Sequence, residues 1–453
     1  MKAGFGTSDL TPRLGVQLAG YGPYRNRAAR AILAPLSARA MALKGEGGSA
    51  ILLSLDACVT PRPLAERIRT AVAERTGCRP DDVFLGATHT HSAPAVGGMS
   101  GWGEADGLYV ATLPARAAEA AAQAWAALTE VTWRYGEGPC EGIAVNRELE
   151  ERFASNADLD ERLDPRWRPA QPEETDPTSR VLAAYNRRGR LLGFLHHFGC
   201  HPVVCGEKTT DVHGDFVGLA SIRLERAHPG AVAIFLPGAQ GDINPCLNHR
   251  NPVESRRAVR ALGRRYADAV AGALRGAVPL PGVVQLRSVA RETTFSRVKP
   301  VRAQVEKRIA QLERLFAAPG VTDFPWAGVP PLHTRGMELA RLEGLRRVLE
   351  QFKGGRAPNR PVRLHGLRVG PVALLGAGIE VFHSLQQPVL DGSPHPHTWV
   401  VSLVGGHGYA QDAAAQRRAG YANDFVPLVQ GELPYQRIYA ELPKALIKLA
   451  RDL

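Results

Sequence analysis

Twice along this chain a short apolar run breaks straight into a polar turn: Val83 to Ala87 leads into Thr88-His89-Thr90-His91-Ser92, and Ala231 to Leu236 leads into Pro237-Gly238-Ala239-Gln240-Gly241-Asp242. Apolar runs of about 4–8 residues bounded by turn signals read as buried strands. Others at Ala50 to Leu55, Val131 to Tyr135 and Val181 to Tyr185 alternate with helical patterns at Arg62 to Arg75 and Tyr109 to Leu128. The alternation predicts an α/β fold. Later strands at Val283 to Val289, Val362 to Val369 and Trp399 to Val404, with long arginine-rich helices across residues 297–353, predict mixed β-sheets with surrounding helices. Glu148 to Pro177 and Gly320 to Pro331 are aperiodic and contain prolines, and read as surface loops at the rim of a site.

The 453 residues exceed the roughly 250–300 at which a single core stops growing, yet no repeat or low-complexity tract divides the chain. It reads as one catalytic unit over residues 1–453, ending in a helix over Tyr435 to Leu453. No apolar stretch approaches the roughly 18 residues of a membrane span. The opening residues lack a secretory apolar segment, and the expected location is cytoplasmic. Six cysteines without a C-x-x-C pair are too sparse for a disulfide framework. Cys200 and Cys205 flank His201, which leaves a thiolate metal site open beside the ordinary reading of buried free thiols. The net charge of +12 is carried by arginines scattered over segments that also read as amphipathic helices. With no zinc finger, RNP or similar reading module, no nucleic-acid partner is expected; the excess reads as a solvated surface or as attraction for anionic substrates.

Chemistry concentrates in three segments. In His89-Thr90-His91, two imidazoles follow a strand, where α/β folds gather their ligands, and an extended backbone would point both to one side. By itself an H-x-H pair fits metal ligation or plain hydrogen bonding. His196-His197-Phe198-Gly199-Cys200-His201, followed by Asp211-Val212-His213-Gly214-Asp215, places four histidines and two aspartates within a short span. Imidazole is the commonest metal ligand and nearby carboxylates orient it. The adjacent His196 and His197 also fit a strand with its side chains on opposite faces. Third is the turn Gly238 to Pro245, where glycine permits close approach of backbone to a ligand.

These segments, in this order, together with the opening Gly6-Thr7-Ser8-Asp9-Leu10-Thr11-Pro12, Leu18-Ala19-Gly20-Tyr21-Gly22 and Asn146-Arg147, resemble the catalytic domain of the neutral ceramidase family. The resemblance covers nearly the whole chain without the family's C-terminal immunoglobulin-like domain. It implies a catalytic zinc held by His89, His201, Glu380 and Tyr409, with a water attacking an amide carbonyl. Ile379 stands before Glu380 where the family usually has glycine. It further implies His91 as a group that hydrogen-bonds the carbonyl or shuttles a proton, Tyr421 as oxyanion stabiliser, Arg147 as a contact for polar substrate groups, and Asp215 as a residue orienting a histidine. Asn244 occupies the place of the family's serine in Gly-Asp-Val-Ser-Pro, which disfavours a covalent serine mechanism. The expected reaction is zinc-dependent hydrolysis of a carboxamide in a small N-acyl compound rather than membrane ceramide, since no membrane-binding stretch is evident. An ester, lactone or lactam hydrolase, a biosynthetic acyl-transfer enzyme, and a non-catalytic binding protein are the alternatives.

Overall fold

The computed structural model describes residues 1–23, 26–149, 158–298, 301–317, 335–352, 359–418 and 420–453. The expected loop from Gly320 to Pro331 lies outside the described residues, as does part of that from Glu148 to Pro177.

The larger sheet runs, in spatial order, Val232–Pro237, Leu191–Phe198, Thr178–Asn186, Thr129–Pro139, Lys2–Asp9, Ser37–Gly45, Gly48–Leu55 and Val83–Ala87, with Val278–Pro279 paired beside Thr129–Pro139. Its inner pairings are antiparallel, and the outermost pairing at each end is parallel. Mixed sheets of this kind carry helices over their outer face. The sheet curls until its two ends meet: Ser54 Oγ donates to Phe235 O at 2.7 Å. A second sheet, Leu286–Thr293, Val362–Val369, Val372–Ala377 and His397–Val401, packs against the first. Between them lies a core of Leu52, Phe84, Leu195 and Ile234 against Leu367, Leu374, Trp399 and Val401.

Helices cover both outer faces, so the layers run helix, sheet, sheet, helix. Gly107–Ala126 starts where the Asp106 side chain accepts from Tyr109 N, and it buries alanines at 117, 118, 120, 121 and 124. That small-residue face brings the helix backbone onto Gly4 and Gly6 of the first strand, where a Cβ would meet Ala124 O at 2.1 Å and Ala120 O at 2.3 Å. Pro252–Arg275 begins at Asn251, whose side chain caps Val253 N and Glu254 N, and it buries Val259, Leu262, Tyr266 and Val270 while several arginines face outward. Arg302–Ala317 and Arg335–Phe352 are the expected arginine-rich helices, and Ile438–Arg451 closes the second sheet. Among the described residues no helix is long and apolar enough to cross a membrane.

The two sheets are joined at the carboxyl ends of their strands. Ser402, just beyond His397–Val401, donates its amide to Pro237 O at 2.9 Å and its hydroxyl to Gly238 O at 2.7 Å, and accepts from Val381 N at 3.1 Å. Ser402 is fully buried. Ser402→Ala would leave a buried amide and a carbonyl unpaired, so a loss of about 1–3 kcal/mol in denaturant-measured stability is expected; an unchanged unfolding midpoint would show that this link is not structural.

Candidate metal centre

His89 lies two residues past the strand Val83–Ala87, and His201 three past Leu191–Phe198. Glu380 follows Val372–Ala377 and pairs in parallel with Tyr409. Where the sheets converge, Glu380 Oε2 stands 3.3 Å from His89 Nε2 and 2.8 Å from His201 Nε2. All three residues are buried, and their ligand-type atoms lie within 4.8 Å of one another. The expected extended backbone is corrected at His89, whose φ is +69°. A non-glycine residue in this region is strained and persists where the surroundings impose it; here His89 N is tied to Ala57 O at 2.9 Å. The two imidazoles nevertheless meet, with His91 Nε2 3.3 Å from His89 Nε2, while Thr90 turns away to donate to His213 O.

The hydrogen bonds around the ligands fix their tautomers. His89 Nδ1 donates to Cys58 O at 2.6 Å, and His201 Nδ1 donates to Gln240 O at 2.6 Å. Carbonyls on Nδ1 leave the Nε2 lone pairs facing inward, the arrangement by which metal-ligating histidines are oriented. Burial pulls His201 down to about 4, so its imidazole is neutral. Burial also opposes charge on Glu380, yet His89 and His201 pull its pKa well below the usual carboxylate range. At His89 burial acts against a charge and Glu380 outweighs it, raising the pKa. Two lone pairs at 2.8 Å, from His201 Nε2 and Glu380 Oε2, repel unless a cation sits beside them, and among the described residues neither atom has a hydrogen-bond partner. Two imidazoles and a carboxylate fit zinc's ligand chemistry.

Tyr409 and Tyr421 are brought to the same place. Their rings lie 6.2 Å apart, and Glu380 and Arg147 act electrostatically on both phenols. Burial pushes both phenols up, and they are protonated as they stand. Arg147 sits 5.4 Å over the Tyr409 ring, is hydrogen-bonded to Tyr409, and donates to Gly241 O at 2.6 Å. His91 is half-buried, edge-on to Tyr21, and its Nδ1 has no partner among the described residues. Burial and the neighbouring histidines lower its pKa, so it is a neutral base.

Gly20 has a φ of +93°, and a Cβ there would fall 2.2 Å from the His91 ring. Gly20→Ala is therefore expected to displace His91 and to slow turnover on the order of tenfold or more through misplacement, with metal content unchanged; wild-type kinetics in this variant would remove His91 from the reaction.

Asp215 has different partners from those expected. Its carboxylate accepts from the amides of Val204, Cys205 and Phe216, and the histidine it meets is His213, through its own amide to Nδ1. At the start of the helix Asp215–Ala227, with burial raising its pKa to about 6, it braces the loop after His201 rather than an imidazole. His196 and His197 do point to opposite faces, one to Tyr266 and Ser221, the other to Val400 O. Cys200 and Cys205 are free, with thiols pushed up by burial; Cys205 donates to Ser255 O. Asn244 is buried in a short pairing with Val145.

Several contributors carry no sequence signal of their own. The carbonyls of Cys58, Gln240 and Ile243 that hold the ligand histidines could come from any residue type. Asp242 was legible as a turn residue alone; its carboxylate, pushed up to about 7 by burial, links Asn146 Nδ2 at 3.0 Å to His383 N at 2.7 Å, and so ties the Arg147 segment to the Glu380 segment.

The family model described as neutral/alkaline non-lysosomal ceramidase, N-terminal, matches residues 1–258. A neutral ceramidase from Pseudomonas aeruginosa superposes with a TM-score of 0.72 at 18% identity, covering 99% of this chain and 74% of that one. A ceramidase complexed with C2 gives 0.71 at 17% identity over the same shares. At these identities the likeness establishes a common fold.

Proposed function

The chain belongs to the neutral/alkaline non-lysosomal ceramidase family, and on that premise we propose that it is a zinc-dependent hydrolase cleaving the carboxamide bond of an N-acyl compound. The carrying observation is the convergence of His89 Nε2, His201 Nε2 and Glu380 Oε2 on one buried point, the last two without a hydrogen-bond partner among the described residues. These three, with Tyr409, would hold the metal, which when bound supplies Lewis acidity and lowers the pKa of a water from about 15.7 to about 7.

The chain's own groups do the rest. His91, neutral and beside His89, accepts a proton at Nε2 and returns it to the departing amine. The Tyr421 hydroxyl, kept protonated by burial, donates to the oxygen on which negative charge develops. Arg147 holds the Tyr409 phenol through its hydrogen bond and offers its remaining N–H groups to polar parts of the substrate. Asp215 and Asp242 position the loops that carry these groups.

The reading includes a small, polar N-acyl substrate. Beside Tyr421, the described residues Gly20, Tyr21, Trp102 and His249 bound a cavity of about 220 Å³, which supports a small substrate without itself reaching the three proposed ligands. Six buried, free cysteines fit a reducing compartment, and a cytoplasmic location is part of the same reading. The test is a panel of N-acyl amides from acetyl to long-chain, assayed with zinc-loaded and chelator-treated protein. Metal-dependent release of acid from the short members is expected; a loaded protein inert toward every amide would sink the proposal.

A further inference from the structure

A second and larger cavity, about 940 Å³, shares no lining residue with the one at Tyr421. One wall is the helix Arg62–Thr76, and another is the backbone of Gly378, Ile379, Gly405 and Gly406, just before Glu380 and Tyr409. Seven arginines line it against four carboxylates, a surplus of three positive charges. The acids are engaged: Glu66 and Glu292 with Arg62, Asp81 with Arg363, and Glu432 with Arg297.

Arg69 lies deepest. It is 4% exposed, yet among the described residues its Nη2 has no hydrogen-bond partner and no carboxylate forms an ion pair with it. Its one side-chain hydrogen bond among the described residues is a long 3.4 Å contact from Nε to Val83 O. The guanidinium presses onto Gly405, where a Cβ would fall 2.2 Å from Nη2. Burial and neighbouring Arg363 pull its pKa down to about 10, so the group stays charged while poorly compensated. Burying an unpaired guanidinium is costly, and its planar fork matches the oxygens of phosphate. Arg67 and Arg360, exposed at the rim, form no ion pair among the described residues and complete the positive lining.

We propose that this cleft, with Arg69 at its floor and Arg67 and Arg360 at its rim, is a binding site for the phosphate group of a small soluble molecule, separate from the metal centre. It does not depend on the hydrolase reading, because the test reads binding and not turnover. Inorganic phosphate is titrated into the full-length, zinc-loaded protein by calorimetry at ionic strength held constant with chloride, and the protein is separately sedimented with phosphatidylcholine vesicles containing phosphatidic acid. Saturable phosphate binding is expected, weakened tenfold or more in Arg69→Met and severalfold in the Arg67→Ala, Arg360→Ala double variant, with metal content unchanged in both. Absence of saturable binding, affinity undiminished in the rim variant whether or not Arg69→Met folds, or binding to the vesicles alone would each overturn it.

Discussion

If His201 holds the proposed cation, His201→Ala is expected to lose at least about 10³-fold in kcat/KM, on the order of 4 kcal/mol of transition-state stabilisation, because it removes one of the two imidazole ligands and with it the Lewis acid. The effect should exceed a simple loss of stability. His201 Nδ1 donates to Gln240 O and Ile243 O, but each carbonyl also accepts a backbone amide, from Ile243 N and His201 N, so the stability loss in the variant is expected to come mainly from the emptied buried volume and to be modest beside the kinetic loss. The two effects separate when activity is measured well below the melting transition. A folded His201→Ala protein with activity within tenfold of wild type would place the chemistry elsewhere.

Tyr421→Phe is the second large effect. The substitution removes one oxygen and keeps the ring between Tyr409 at 6.2 Å and Phe425 at 5.9 Å, so packing survives. If the hydroxyl donates to the developing oxyanion, kcat should fall about 10²–10³-fold with KM little changed, the signature of a donor used in the transition state. A rise in KM with kcat unchanged would instead make Tyr421 a substrate-binding residue.

The sequence made the strands legible where they are continuously apolar, since burial on both faces leaves no room for polar residues. Val83–Ala87, buried throughout, matches its expected bounds on that ground, and Val362–Val369 matches on its valines and leucines although Arg363 and Arg368 between them are only half-buried. Lys2–Asp9 and Ser37–Gly45 were hidden because glycine, alanine and serine there serve the close packing of a helix and carry little hydropathy. The helix Asp215–Ala227 was obscured by the histidines and aspartates just before it. At the site, His89, His91 and His201 stood out because imidazoles after strands are chemically conspicuous, and Glu380 and Tyr409 came through the family resemblance alone. Nothing local in the sequence foretold that Glu380 and Tyr409 pair across two parallel strands, or that Asp215 grips three backbone amides, because both facts depend on where distant segments meet.

Whether His89, His201 and Glu380 hold a metal ion is read from the metal content per chain, measured by mass spectrometry on zinc-loaded and desalted protein. About one zinc per chain in the wild type, lost in His89→Ala, His201→Ala and Glu380→Ala, is the result predicted for a single site with these ligands. A wild-type protein that retains no zinc, or one whose zinc survives all three substitutions, would contradict it.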